Sequence, residues 1–159
     1  MGLYDWLLAL HVLTAFALVA ALVVFSVVIV FGRRTNTPAA TVRLFDAVRG
    51  GNVLFAVGAI GTIVFGIWLA FQVGEYSILD PWILGAIVLW ALLMETGRRE
   101  GKLYDEARDL ARGLLTQGQE GPSDELHARL RSRPALLFHL ASCVLAVLLL
   151  ADMIWKPGA

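Results

Sequence analysis

Four long apolar blocks divide the chain, and short polar stretches separate them. The blocks cover about 3–31, 53–73, 82–97 and 135–155. Roughly 20 apolar residues cross a bilayer as a helix, so each block predicts a membrane span, although the third is short and reaches its charged end at Glu95. We therefore expect an all-α integral membrane protein, a four-helix bundle within one transmembrane domain over 1–159.

The connections between the blocks carry helix signals of their own. Thr41 is placed to cap a short amphipathic helix that leads into the second span. Pro81 favours a helix start at the third span. Beyond Glu95, apolar residues continue at helical spacing among charged ones. We expect helix 3 to leave the membrane as an amphipathic extension, with 98–133 forming a helical cytoplasmic excursion between spans 3 and 4.

Small residues lie on one face of the second span. Gly58, Thr62, Gly66 and Ala70 recur every four residues, which brings them together on a helix. Glycine costs a helix about 1 kcal/mol relative to alanine, so its recurrence points to the close approach of another backbone. We expect this face to pack against another helix, within the chain, in a homo-oligomer or in a larger membrane complex.

The distribution of basic residues predicts the orientation. Of the 13 Lys and Arg residues, four lie in 32–51 and eight in 98–133, while Lys156 alone follows the fourth span. Basic loops stay in the cytoplasm. Both connections should therefore face the cytoplasm, and both termini should lie outside.

The composition of the chain argues against several classes of function. The chain is 58% hydrophobic and only 16% charged, whereas a soluble domain has about 25% charged residues. Its net charge is zero, and acids such as Glu100 alternate with the basic residues of 98–133, so we expect a solvated surface that binds no nucleic acid. No soluble-enzyme motif is present. Cys143, the only cysteine, is expected to be a packing residue.

Besides Asp5 and Glu95 near the span ends, three ionisable residues lie within the spans, where such residues point to function by default. His11 lies about 7 Å below the outer interface and is read as a hydrogen-bonding residue, a ligand of a cofactor or a proton carrier. His139 lies about 7 Å from the inner interface. Across the bilayer the two are roughly 16 Å apart, too far to hold one haem iron together. Helical phase, counted from His139, directs Asp152 towards lipid.

Several stretches resemble a known family: WLLALHVLTAF, GIWLA, DPWILGAIVLWALL and the closing WKP. They are similar to the bacterial four-span family called domain of unknown function 2269, and more distantly to copper-resistance D-type proteins and haem-containing four-span protoporphyrinogen oxidases. The resemblance implies a multi-pass protein of the bacterial inner membrane. In the oxidases the first-helix histidine is a haem ligand, and His11 matches it. Their third-span lysine has no counterpart here, where Gly85 and Ala86 stand at about its place.

The leading hypothesis is a small non-enzymatic membrane protein, an accessory or structural subunit that packs through small-residue helix faces. The alternative is a membrane redox protein that binds haem b, with His11 as the axial ligand and His139 as a further candidate; only in that case would His11 bind a metal, the haem iron. A carrier of small solutes or ions is a third hypothesis. It has less support, because no span lines one face with polar residues.

Overall fold

The computed structural model describes residues 2–73 and 76–158, which form helices and no strand. The helices are α1 (Leu3–Gly32), α2 (Pro38–Ala47), α3 (Arg49–Val73), α4 (Pro81–Thr116), α5 (Asp124–Leu130) and α6 (Arg133–Trp155). The prediction of an all-α protein is confirmed.

Three described segments are long and apolar enough to cross a membrane: Leu3–Gly32, Pro38–Gln72 and Asp124–Trp155. The third predicted span, the first half of α4, is not among them. Its apolar run ends early, at Glu95, and charged residues follow in the same unbroken helix. A membrane crossing by α4 therefore stays a prediction from its position in the fold.

Helices α1 and α3 form an antiparallel pair. Leu18 lies against Gly58 and Thr14 against Gly61, so residue numbers rise along one helix as they fall along the other. The chain reverses between them through α2.

Helices α4 and α6 form a second antiparallel pair. The hydroxyl groups of Thr96 and Ser142 lie 2.9 Å apart, and Asp152, near the end of α6, faces Gly85 at the start of α4. All four long helices therefore lie side by side and alternate in direction.

A buried apolar cluster joins the two pairs. It consists of Leu18, Leu22, Ala59, Ala86, Leu93, Ala146 and Leu149, which come from all four long helices. A hydrogen bond crosses the same junction, where the indole nitrogen of Trp90 donates to the carbonyl oxygen of Ala59 at 3.1 Å. Lipid tails are as apolar as the side chains of the core, so the hydrophobic effect does not drive membrane helices together. Close packing and interhelical hydrogen bonds therefore hold the two pairs together.

The first connection differs from its prediction. Helix α2 begins at Pro38, and Thr41 lies inside it, where its hydroxyl donates to the carbonyl oxygen of Thr37 at 3.0 Å. The prediction of a Thr41 cap was wrong. Proline at the first helical position has a φ angle suited to a helix start and lacks an N–H that would go unpaired there.

The long connection between α4 and α6 has a small core of its own. Ala107 and Ala111 of α4 are buried together with Leu126 and Leu130 of α5, and α2 covers them from the side. At its edge Asp46 of α2 accepts hydrogen bonds from two arginines of α4. The predicted helical excursion is thus a packed layer of α2, α4 and α5.

Candidate functional site

The small-residue face of α3 lies directly against α1. A Cβ atom added at Gly58 would come within 2.5 Å of the backbone nitrogen of Leu18, and one at Gly61 would overlap the side chain of Thr14. Real Cβ atoms essentially never approach so closely. Only glycine therefore allows the two helices to lie at this distance. Sequence reasoning missed Gly61, which lies outside the four-residue spacing of the predicted face.

His11 lies in the same interface, towards the N-terminus of α1. Its Nδ1 is 3.0 Å from the carbonyl oxygen of Thr62, and its ring rests on Gly66, where a Cβ would be 3.0 Å from Cε1. A carbonyl oxygen can only accept, so Nδ1 carries the proton. The fourth residue of the predicted face, Ala70, instead packs with Trp82 and Ile83 of α4.

The hydrogen bond to Thr62 leaves one ring nitrogen of His11 able to bind a ligand. When Nδ1 donates to a carbonyl group, the neutral ring keeps the lone pair on Nε2, the arrangement that usually orients metal-bound histidines. Among residues 2–73 and 76–158, no protein hydrogen bond occupies Nε2. Nε2 is therefore the ring atom of His11 that is available to a ligand. In the part of the chain described here, no group of three or more His, Cys, Asp or Glu residues could hold a metal ion.

His139 is buried near the N-terminus of α6, where it contacts α1 and α4. Its Nδ1 lies 3.0 Å from Oε1 of Glu100 on α4, and its Nε2 lies 2.8 Å from Oγ of Ser26 on α1. Cys143, one turn further along α6, places its sulfur 3.6 Å from the same nitrogen. Both ring nitrogens are therefore occupied by protein groups.

The hydroxyl of Ser26 couples this cluster to the backbone of α1. Its oxygen is also 2.9 Å from the carbonyl oxygen of Leu22, and it has one proton to donate. Ser26 donates this proton to the carbonyl oxygen of Leu22, so its oxygen is free to accept from Nε2 of His139.

The structure keeps the two span histidines apart. Ser26, the partner of His139 on α1, lies 15 positions beyond His11, or roughly 22 Å along a helix. His139 also has no free nitrogen. The two residues therefore do not form one site.

Glu100 is a correction to the sequence analysis. It was expected on a solvated surface, but it is only 7% exposed. A signal was present: Glu100 lies seven residues from both Leu93 and Ala107, which are fully buried on α4. The prediction was wrong because the residue was judged by the composition of its segment and not by its phase on the helix.

The polar cluster around His139 and Glu100 extends to Tyr104 of α4. Its hydroxyl is buried without a hydrogen-bond partner, and so is Nη1 of Arg33 at the end of α1. Burial raises the pKa of Tyr104 to about 12; the Glu100 carboxylate also raises it, and Arg33 lowers it. The phenol is therefore neutral at physiological pH.

Asp152 is a second correction. Its Oδ1 would lie 3.3 Å from a Cβ at Gly85, and its Oδ2 is buried without a partner among the described residues. The carboxyl group thus faces α4, not lipid. Phase counted from His139 misplaced it because the contact stripe of α6 reaches Leu149, and Asp152, three residues further on, lies only about 60° around the helix from that buried residue.

One comparison with known proteins identifies relatives. A family model described as "Predicted integral membrane protein (DUF2269)" matches residues 5–157, almost the whole chain. Searches of curated proteins and of solved structures give no significant match. The family match confirms the first of the predicted resemblances; it supplies no link to the copper-resistance or oxidase families.

Proposed function

Because the chain belongs to this family of predicted integral membrane proteins, we propose that it is a small non-enzymatic accessory or structural subunit of the bacterial inner membrane. In this proposal residues 1–159 form one transmembrane domain with four crossings. Both termini lie outside, and the layer of α2, α4 and α5 lies in the cytoplasm.

The contacts at the outer end support a crossing by α4. The amino group of Lys156, which follows α6, lies 5.3 Å from the ring centre of Trp82 in the first turn of α4. It also lies 3.2 Å from the hydroxyl of Tyr76, between α3 and α4. The start of α4 is thus level with the end of α6, and α4 runs beside it to Glu100. A helix held in this position shares the membrane with its neighbours.

One observation carries the structural role: polar groups within the spans bond to neighbouring helices. His11 bonds to α3, His139 bonds to α1 and α4, and Trp90 bonds to α3. In a membrane, such bonds and close glycine contacts are what fix helix positions. The residues that the sequence offers for chemistry are therefore used to assemble the bundle, as expected of a scaffold or subunit.

The contacts of the small-residue face limit the surfaces on which a partner subunit could bind. Gly58, Gly61 and Gly66 are all in contact with α1. A partner subunit must therefore contact the larger apolar side chains on the outside of the bundle. Examples are Phe16 on α1 and Ile154 on α6, which are 70% and 71% exposed.

Purification in a mild detergent tests this function. We expect a colourless protein that migrates with a larger assembly on a native gel, and the same assembly with His11→Ala after its fold has been verified. As a perturbation of the outer surface, Phe16→Ala should weaken that assembly while Val23→Ala, on the same helix and also exposed, serves as its control. A protein that stays monomeric at native expression levels would contradict the accessory role.

Haem b binding through His11 is the second candidate, favoured by the Nε2 lone pair that the Thr62 bond leaves available. Haem would supply one-electron redox chemistry, while the bundle would hold the ring of His11 in position. His139 cannot serve as the second ligand, since Glu100 and Ser26 occupy both of its nitrogens. A Soret band that His11→Ala abolishes and His139→Ala retains would establish this function; a spectrum without the band after expression with added haem precursor would exclude it.

A further inference from the structure

The basic residues at the inner end of the bundle fall into two groups. Ion pairs engage Arg98 and Arg99 with Glu95, Arg108 and Arg112 with Asp46, and Arg129 with Glu106. Among the described side chains of 2–73 and 76–158, six basic residues at this end of the bundle form no ion pair: Arg33, Arg34, Arg43, Lys102, Arg131 and Arg133. Of these six, Arg33, Arg34 and Arg131 lie around one feature of the surface.

These three arginines converge on one recess. It has a volume of about 530 Å³ and lies between the end of α1 and the end of α5, lined by Val30, Arg33, Arg34, His127 and Arg131. None of the described residues that line it is acidic. The partial negative charge at the C-terminus of α1 is about half an elementary charge, so three guanidinium groups outweigh it.

The lining offers hydrogen-bond donors that fit an anion with several oxygen atoms, because guanidinium groups donate and cannot accept. Nη1 of Arg33 is buried, so the donors exposed to the recess are chiefly those of Arg34 and Arg131. Nη1 of Arg131 lies 3.4 Å from Nε2 of His127, an atom that accepts only when the ring is neutral, which leaves the other ring nitrogen as a donor. Arginine forks match the oxygen geometry of phosphate groups.

We propose that this recess binds the phosphate group of an anionic phospholipid in the cytoplasmic leaflet. Val30 forms its apolar wall, is 51% exposed and belongs to the last turn of a membrane span. A headgroup in the recess would therefore have its acyl chains beside α1, in lipid. Basic pockets at the cytoplasmic ends of membrane helices are suited to such headgroups. The leaflet assignment depends on the proposed orientation; the phosphate chemistry does not.

Lipid binding by the detergent-purified protein tests this site. The probes are phosphatidylglycerol, phosphatidylcholine at the same concentration, and inorganic phosphate, and the readout is bound lipid by native mass spectrometry. The variant is Arg34→Gln with Arg131→Gln, both exposed, so that the fold should be kept. Its control is Arg43→Gln with Lys102→Gln, which removes the same charge from exposed positions on α2 and α4.

We expect phosphatidylglycerol to bind at least tenfold more tightly than phosphatidylcholine. The recess variant should lose that difference, the control should keep it within twofold, and Arg131→Lys should retain part of it because the charge remains. Circular dichroism verifies the fold of each variant. Equal binding of phosphatidylglycerol by wild type, recess variant and control would overturn the proposal. Saturable binding of inorganic phosphate at the recess, with no preference for phosphatidylglycerol, would overturn the lipid as its source.

Discussion

Nδ1 of His139 lies 3.0 Å from a carboxylate oxygen of Glu100, and both side chains are buried where α4, α6 and α1 meet. Two ionisable groups this far from water are costly to hold unless each satisfies the other. Their pairing ties the second helix pair to the first, because the opposite nitrogen of the same ring bonds to Ser26.

Glu100→Ala should therefore destabilise the protein by about 3 kcal/mol, since it leaves the ring of His139 buried without its acceptor. Glu100→Gln keeps an acceptor oxygen and should cost less. Thermal unfolding in detergent measures both effects. The control is Glu95→Ala, which breaks an exposed pair with Arg98 and should change the unfolding midpoint little. Equal effects at the two glutamates would show that burial of Glu100 does not matter.

Gly58→Ala should destabilise the α1–α3 pair by about 2 kcal/mol, because the new methyl group meets backbone that cannot rotate away. Gly101→Ala is the matched control. It lies inside α4 with nothing within 4 Å of its added Cβ, so it should be neutral or stabilising by up to about 1 kcal/mol. Denaturant or thermal unfolding of both variants decides the matter. A Gly58→Ala protein as stable as Gly101→Ala would mean that the helices are not in backbone contact there.

Tyr104 should make stability depend on alkaline pH. An unfolded tyrosine ionises near pH 10, whereas burial raises the pKa of Tyr104 to about 12. The folded state therefore binds more protons between these values, so its stability is complete below about pH 10 and falls as the pH rises towards 12. Tyr104→Phe has no such group and should lose less stability over that window. Unfolding midpoints at pH 8 and pH 11 for both proteins test this, and parallel losses would contradict the raised pKa.

The crossing by α4 can be tested by labelling single cysteines in a Cys143→Ser background. Ser77→Cys lies between α3 and α4, and Gln119→Cys lies just after α4; both positions are exposed. In intact cells a membrane-impermeant maleimide should label the first and reach the second only after permeabilisation. Labelling of both from the same side would show that α4 does not cross.

Much of the fold follows from the periodicity and length of apolar blocks. The continuation of α4 beyond Glu95 was predictable, because helical spacing persists through Ala107 and Leu110 into the layer of α2, α4 and α5. What the pattern does not contain is the register between helices. Gly61 and Gly58 are alike in sequence context, and only the placement of Thr14 and Leu18 opposite them reveals that both are contact points.

The site was harder to predict than the fold, because its polar residues depend on partners far away in the sequence. Ser26 and Glu100 become partners of His139 only when three helices meet. A lone histidine in a span predicts some polar contact, and the structure supplies its identity. Asp152 shows the same limit, since its direction depends on how α6 crosses α4.

Helix α4 continues without a break from Pro81 to Thr116, a rod of about 54 Å. At its first turn, the amino group of Lys156 lies over the ring of Trp82. Near its other end, α2 and α5 pack against it. A tilt of a few degrees at the Pro81 end of this helix would displace the Thr116 end by several ångström. The positions of the two ends are therefore mechanically coupled.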